Sequence, residues 1–310
     1  MIQLLGSSIP NPRNKSSISK GAKFLNIKIK GKMKKHQDLA GKLHTSESNV
    51  EPANQDAPSP VRFIVLAYNE GPNLELLCNR IQGVMENLER KYEIFIVNDG
   101  SSDNTSEVVD SLKTRLPIRE LRHEVNRGVA SAFLTGFRAA LEDADDEDPL
   151  IVMEGDGTSD PAVVPQMLEQ LSPPCDIVIA SRYAPGGRYV KFPIKRLVLS
   201  GGANTLLCRL CPVAGVRDYT IFYRTYRAGP LRQALAEYGD DFTSTEGFAC
   251  NAEMLLRLEG FIGIVREVPF VYDYGLKKGA SSIQISGNLL AYARLFRIFL
   301  TRRRKKKISN

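Results

Sequence analysis

Residues 61–70 read VRFIVLAYNE. Val61–Tyr68 is, apart from Arg62, an apolar run too short for a helix and rich in β-formers, which predicts a buried strand. The chain then changes period: Pro72–Leu88 carries apolar residues at helical spacing, with Leu74, Leu77, Ile81, Val84, Met85 and Leu88 on one side. The same alternation repeats downstream. Tyr92–Val97 (YEIFIV), Ile118–His123, Leu150–Met153 and Asp176–Ala180 read as strands; Thr105–Leu112, Ala130–Leu141 and Ala162–Leu171 read as the helices between them. Strict β-α alternation with short turns predicts a single α/β domain built on a doubly wound, mostly parallel, Rossmann-like sheet. Beyond Ser181 the pattern loosens, with helices expected at Ile194–Leu210, Ser244–Leu258 and Ile285–Leu300 and a strand at Gly263–Tyr272.

Ligands of such sheets bind beyond the carboxyl ends of the strands. That rule points to Asn69-Glu70, to Asn98-Asp99-Gly100 and to Glu154-Gly155-Asp156. The turn after the first strand, Tyr68-Asn69-Glu70-Gly71-Pro72-Asn73, has no GxGxxG, and no Walker A loop occurs, which disfavours dinucleotide dehydrogenases and common NTPases. What these turns hold is acid. Asp99 can accept hydrogen bonds from a base N–H or a ribose hydroxyl, although an Asp-Gly-Ser is often only a turn. Glu154 and Asp156 are separated by one small residue, so in extended chain both face the same way and can share one hard cation. A helix-capping role for Asp156 is the weaker reading, since Asp160-Pro161 already supplies that cap.

Charge is unevenly placed. Of the formal +7, residues 1–42 carry +9 and the run Arg302–Lys307 carries +6, so residues 43–301 carry −8. A nucleic-acid enzyme usually bears its basic face on the folded body, so no nucleic-acid partner is expected. Basic tails on an acidic body suit an anionic membrane surface, or simply solvent. The final helix, where Arg294 and Arg297 are the polar complement to Leu289, Leu290, Tyr292, Phe296 and Phe299, could pack on the core, but its purely cationic polar face favours a headgroup layer. No run of about 20 apolar residues predicts a membrane span. The N-terminus lacks the apolar stretch of a secretory signal. Five cysteines in apolar or helical patterns, with Cys208 and Cys211 lacking a second pair, read as reduced thiols. The expected organisation is a basic tail and linker over 1–60, a catalytic domain over 61–284, and an amphipathic helix with basic end over 285–310, on the cytoplasmic face of a membrane.

In order and spacing these motifs resemble family-2 glycosyltransferases, and specifically the dolichyl-phosphate (polyprenyl-phosphate) mannosyltransferase group, from about Val61 to Ser282. The family's PTYNE stands as Leu66-Ala67-Tyr68-Asn69-Glu70, and VDDGSxDxT as Val97-Asn98-Asp99-Gly100-Ser101-Ser102-Asp103-Asn104-Thr105. NxGxxxAxxxG is carried by Asn126, Gly128, Ala132 and Gly136, DADxxxxP by Glu154-Gly155-Asp156 and Pro161, and SRYxxGG by Ser181–Gly187. Lys195-Arg196, Ser200 and Asn204, then Asp218-Tyr219-Thr220 with Arg224, Glu253 and Glu267-Val268-Pro269 follow. The resemblance implies a GT-A fold and an inverting hexosyl transfer, mannose-like or glucose-like, from a GDP- or UDP-sugar to a polyprenyl phosphate. By the same resemblance Leu66, Tyr68, Glu70, Val97 and Asp99 would hold the nucleoside, and Glu154, Gly155 and Asp156 an Mg²⁺ or Mn²⁺ ion with the donor diphosphate. Arg182 would contact phosphate, and Arg196 and Ser200 the acceptor phosphate, with a small membrane-anchoring subunit or a homo-oligomer as further partners.

Three departures stand out. Glu154 replaces the first metal-site Asp, Leu66 the leading Pro, and the closing RxxGxSK reads Leu276-Lys277-Lys278-Gly279-Ala280-Ser281-Ser282, leaving Lys277 or Lys278 to stand in for the lost Arg and Lys. Two alternatives therefore stay open: a different acceptor (glycan, glycolipid or protein), and a nucleotide-sugar-binding subunit without turnover. The scarcity of histidine favours the phosphate acceptor. Only His36, His44 and His123 exist, and a phosphate monoester is already largely dianionic at neutral pH, so it needs positioning more than a general base.

Overall fold

Every side chain of Val61–Ala67 is buried, and this strand, β1, is the third of seven in the central sheet. The computed structural model describes residues 58–278, 290–297 and 299. In chain order the elements are β1, α1 (Gly71–Asn87), β2 (Tyr92–Asn98), α2 (Thr105–Lys113), β3 (Ile118–Arg122), α3 (Val129–Leu141), β4 (Pro149–Glu154), α4 (Val164–Gln170), β5 (Cys175–Ser181), β6 (Arg188–Val190), α5 (Ile194–Leu210), β7 (Arg224–Arg227), α6 (Ala228–Tyr238), α7 (Ala249–Leu258), β8 (Ile264–Pro269) and β9 (Val271–Asp273). The sheet order is β3-β2-β1-β4-β7-β5-β8. Strands β3, β2, β1 and β4 are parallel, so their carboxyl ends line up: Leu66 pairs with Val97 on one side and Glu154 on the other.

The first half follows the expected α/β alternation. The second half departs from it at β7, which lies antiparallel between β4 and β5. An antiparallel strand enters the sheet from the end at which its neighbours leave, and Arg224 pairs with both Val152 and Ile179. The preceding segment, 217–223, is thereby carried to the carboxyl ends of β4 and β5. Helix α6 directly after β7 is likewise outside the sequence expectation. The expected strand at Gly263–Tyr272 breaks after Pro269, and β9 leaves the main sheet to pair with β6. The expected helix at Ser244–Leu258 starts only at Ala249.

Residues 290–297 and 299 are helical, with Ala291, Tyr292 and Leu295 buried against the core, while Leu290, Arg294 and Arg297 are exposed. This part of the final helix therefore packs its apolar side on the protein, not in the headgroup layer its cationic face suggested. The proposed tail and linker up to residue 57, residues 279–289 and the basic run 302–307 lie outside the described residues. No described helix is long and apolar enough to cross a membrane. All five cysteines are free thiols.

Candidate active site

The turns after β1 and β2 lock each other. Asn69 sits at φ 57°, a left-handed conformation that asparagine tolerates better than most residues. Its Oδ1 accepts the Ser102 and Asp103 N–H groups at 2.8 and 3.3 Å, while its own N–H donates to Ser101 Oγ at 2.9 Å. Asp103 Oδ2 in turn accepts the Gly71 N–H, and Thr105 Oγ1 the Glu70 N–H, so the orphan donors opening α1 are satisfied from the neighbouring turn. Gly100 has φ 69°, and a Cβ there would stand 2.3 Å from the Val125 carbonyl carbon. Only glycine lets the two loops approach so closely.

Asp99 points into the start of α3. Its Oδ1 meets His123 Nδ1 at 2.6 Å and accepts the Arg127 N–H at 2.8 Å; Oδ2 accepts the Gly128 N–H at 2.9 Å. Buried carboxylate at a helix N-terminus is favourable on both hydrogen-bond and dipole grounds. His123 bonds Thr135 Oγ1 through its other nitrogen, at 2.9 Å, so both ring nitrogens are engaged.

At the end of β4, Glu154 and Asp156 flank Gly155, whose N–H donates to Leu66 O at 2.8 Å. Asp156 Oδ1 is occupied by Thr158, through its N–H at 3.0 Å and its hydroxyl at 2.6 Å. Oδ2 accepts from Lys277 Nζ at 2.8 Å, and the same ammonium lies 3.6 Å from Glu70 Oε1. Asp160 caps the following turn by accepting the Ala162 N–H, as its sequence position implies. Desolvation, and then the Asp156 charge, push the Glu154 carboxyl up to about 8. Burial would lower Lys277, but Asp156, Glu70 and Glu154 overcome it and leave the ammonium raised. Three carboxylates thus share this corner, with Lys277 the cation bridging two of them. No set of three His, Cys, Asp or Glu donors that could hold a metal exists among the described residues. A pair of carboxylates is, however, the donor set of an Mg²⁺ that takes its remaining ligands from water and substrate phosphate. Burial and the Asp156 charge disfavour an ionised Glu154, and a bound cation would favour it. The residues present fit the ion.

Beside this pair lies Arg182, at the end of β5. Its Nε and Nη2 donate to Asp218 Oδ2 and Oδ1 at 2.8 and 2.6 Å, and its backbone N–H reaches Oδ2 at 3.1 Å. Nη2 also donates to Thr220 Oγ1, which lies 3.0 Å from Ser200 Oγ on α5. The guanidinium stacks over Tyr189 with its carbon 4.9 Å from the ring centre. The fork expected to grip donor phosphate is therefore closed on Asp218. Asp218 is itself set by a clamp: Glu267 Oε1 accepts the Arg217 and Asp218 N–H groups, Arg224 donates to the Tyr219 carbonyl, and Asn204 holds Arg217 O and the Tyr219 N–H. The later motifs, Asn204, Asp218, Arg224 and Glu267, converge on this one segment.

Arg196, half-buried on α5, donates to Tyr274 Oη at 3.0 Å and stacks on the same ring, 5.3 Å from its centre. A cleft of ≈ 630 Å³ collects these groups. Leu66, Tyr68, Glu70, Asp99, Glu154, Gly155, Asp156, Arg182, Arg196 and Ser200 all line it. Val97 does not: it is wholly buried beneath α3, against Gly136. Phe248, Tyr272 and Tyr274 line the cleft without having been singled out, and so do Thr220 and Tyr292, which the sequence marked only in a motif and in the final helix. Only the reversal of β7 and the β6–β9 pairing bring most of these to the site, and neither leaves a periodic signal.

The family model Glycosyl transferase family 2 matches residues 63–234, more than half of the chain. The chain belongs to that family. Among curated proteins, this glycosyltransferase is 36% identical over 212 residues to a dolichol-phosphate mannosyltransferase of Pyrococcus furiosus, covering 68% of this chain and 56% of that protein. It is 30% identical to a polyprenol monophosphomannose synthase of Mycolicibacterium smegmatis, over 75% of this chain and 85% of the relative. An undecaprenyl-phosphate mannosyltransferase of Micrococcus luteus is 28% identical, with 75% and 90% covered. Among solved structures, glucosyl-3-phosphoglycerate synthase from Mycobacterium tuberculosis, crystallised with Mn²⁺, UDP and glucosyl-3-phosphoglycerate, superposes with a TM-score of 0.53 at 16% identity, covering 79% of this chain and 80% of that one. The same synthase with Mg²⁺ and UDP gives 0.54 at 15%, with 79% of each chain covered. The GT-A-like, mostly parallel sheet is common to both.

Proposed function

We propose that this glycosyltransferase moves a hexose, with inversion, from a GDP- or UDP-sugar to a polyprenyl phosphate at a membrane surface, and that it works with a divalent cation. The observation that carries this reading is the cleft itself. The carboxylates of Glu154 and Asp156 line it together with Arg196 and Ser200 of α5. Relatives named as a dolichol-phosphate mannosyltransferase, a polyprenol monophosphomannose synthase and an undecaprenyl-phosphate mannosyltransferase support the choice of acceptor.

Mg²⁺ or Mn²⁺, held by Glu154 and Asp156, would neutralise charge on the leaving diphosphate. The rest falls to the protein. Leu66, Tyr68 and Asp99 are available to the nucleoside, and Asp99 is held rigid by His123 and the start of α3. Arg196 offers a guanidinium to the acceptor phosphate, whose oxygen is nucleophilic without losing a proton. Arg182 lines the cleft with its guanidinium held by Asp218. Membrane approach is supported by apolar exposure beside Arg196 on α5, where Ile194 is 77% and Val198 69% exposed.

The test is transfer itself. Purified protein with Mn²⁺ or Mg²⁺, GDP- and UDP-hexoses and a short-chain polyprenyl phosphate should yield a glycosyl phosphate by mass spectrometry. Turnover of a neutral alcohol with no reaction of the lipid phosphate would replace this acceptor class by another.

A further inference from the structure

Asp156 has one carboxylate oxygen to offer a metal, and Lys277 is on it. Oδ1 already accepts two bonds from Thr158, and Oδ2 accepts Lys277 Nζ at 2.8 Å. The neighbouring Glu70 is placed in the same way. Its Oε2 accepts Asn73 Nδ2 at 2.7 Å, and its Oε1 faces the Lys277 ammonium at 3.6 Å. A divalent ion on Asp156 needs that oxygen at about 2.0–2.2 Å, close enough to repel an ammonium already bound there.

We infer that Lys277 is a tethered counter-ion of the unloaded donor site, which the divalent cation must displace from Asp156 and which then moves to the donor diphosphate. The inference rests on the donor-site reading given above and adds a residue and an order of events to it. The backbone beneath the side chain is fixed, because Asn73 Nδ2 also donates to Lys278 O at 3.0 Å and so ties this segment to the first turn of α1. What exchanges is therefore the flexible stem of one lysine, not the chain that carries it. Glu70 gives the ammonium a second carboxylate in reach during the exchange. Lys277 lines the same cleft as Glu154 and Asp156, and a lysine ammonium is a ready point-charge partner for phosphate. The position also fits the sequence. The family's Arg at the head of its closing motif is Leu276 in this chain, so Lys277 is the adjacent cation left to serve there.

An exchange of this kind gives the two halves of donor binding opposite signs. In Lys277→Met the competitor for Asp156 is gone, so Mn²⁺ alone should bind more tightly, by about fivefold or more, the low end of coupling between linked sites. GDP or UDP in the presence of saturating Mn²⁺ should bind more weakly by a comparable factor, because a phosphate partner has been lost. Lys277→Arg, which keeps the charge, should return Mn²⁺ binding towards wild type. Free Mn²⁺ is followed by electron paramagnetic resonance, the nucleotides by calorimetry, and both variants are first checked for an unchanged melting temperature. A residue that merely supports the fold would weaken both ligands together. If Lys277→Met shows no gain in Mn²⁺ binding while wild type binds Mn²⁺ with nucleotide, the exchange is wrong and the donor site stands. If wild type binds neither nucleotide with either cation, the donor-site reading itself fails and the exchange falls with it.

Discussion

Arg182 and Asp218, 36 residues apart in the chain, face each other in parallel, with Nε 2.8 Å from Oδ2 and Nη2 2.6 Å from Oδ1. Both are buried, at 7% and 0% exposure. Burial alone would raise the Asp218 carboxyl, but the guanidinium beside it holds it below the usual carboxylate range. A pair so placed is costly to break from one side, because the survivor is left charged and dry. Asp218→Asn should therefore lose about 3–5 kcal/mol of unfolding free energy. Arg182→Lys keeps the charge but loses the second bond and should fall between that variant and wild type. Denaturant midpoints read both. An Asp218→Asn variant as stable as wild type would mean that the pair does not hold the fold together here.

Glu154 makes stability depend on pH in the direction opposite to an ordinary ion-paired carboxylate. Its folded-state value, about 8, lies above the ordinary value of 4.5, so between these limits the folded protein keeps a proton that the unfolded chain has released. Stability must then fall as pH rises through that window, and the loss is complete above about 8. Without metal or nucleotide, the melting temperature should fall from pH 5 to pH 8 more steeply in wild type than in Glu154→Gln. Added Mn²⁺, which binds the carboxylate form, should recover the difference at pH 8. Parallel curves for the two proteins would show that Glu154 does not carry this proton.

The turns after β1, β2 and β4 were legible because they are local. The ends of β1, β2 and β4 lie level in the sheet, so three short motifs are enough to place Glu70, Asp99, Glu154 and Asp156 together. Val97 shares that level but faces α3, and alternation along a fully buried strand gives no polar signal to tell the two faces apart. Arg182 was legible as a cleft residue but not as the partner of Asp218, since nothing local joins β5 to a segment beyond α5. β7 is four residues long and is flanked by apolar chain on one side and a helix on the other, so its reversed direction has no signature in spacing. The role of Glu267 follows only once that reversal is known: its carboxylate holds the Asp218 segment by two N–H groups.

Membrane attachment should be electrostatic in part and apolar in part. Binding to vesicles should require anionic lipid and weaken as salt is raised, since each basic residue near such a surface contributes about 1 kcal/mol. Removing residues 302–307 should reduce it. Val198→Ser, at an exposed position on α5, should reduce the component that persists at high salt. Sedimentation with vesicles of neutral and anionic composition separates the two. Binding indifferent to both lipid charge and salt would leave the basic run without this role.

If Arg196 holds the acceptor phosphate, as proposed, its loss should separate acceptor binding from donor binding. Arg196 reaches the cavity from α5, and Tyr274 fixes it twice, by a hydrogen bond to the hydroxyl at 3.0 Å and by stacking at 5.3 Å. A charged hydrogen bond to phosphate is worth about 1.5–3 kcal/mol. Arg196→Ala should therefore raise the acceptor KM or lower kcat/KM by about tenfold to a hundredfold. Nucleotide-sugar affinity, measured by titration with Mn²⁺, should change little. Tyr274→Phe removes the hydroxyl and keeps the ring, so it should give a smaller loss of the same kind. Lysine at 196 should restore only part of the rate, because it supplies charge without the planar fork. Kinetics with a short-chain polyprenyl phosphate at fixed donor concentration decide the matter. An Arg196→Ala enzyme with an unchanged acceptor KM and a weakened donor would move Arg196 to the donor side and leave the acceptor phosphate to other groups in the cleft.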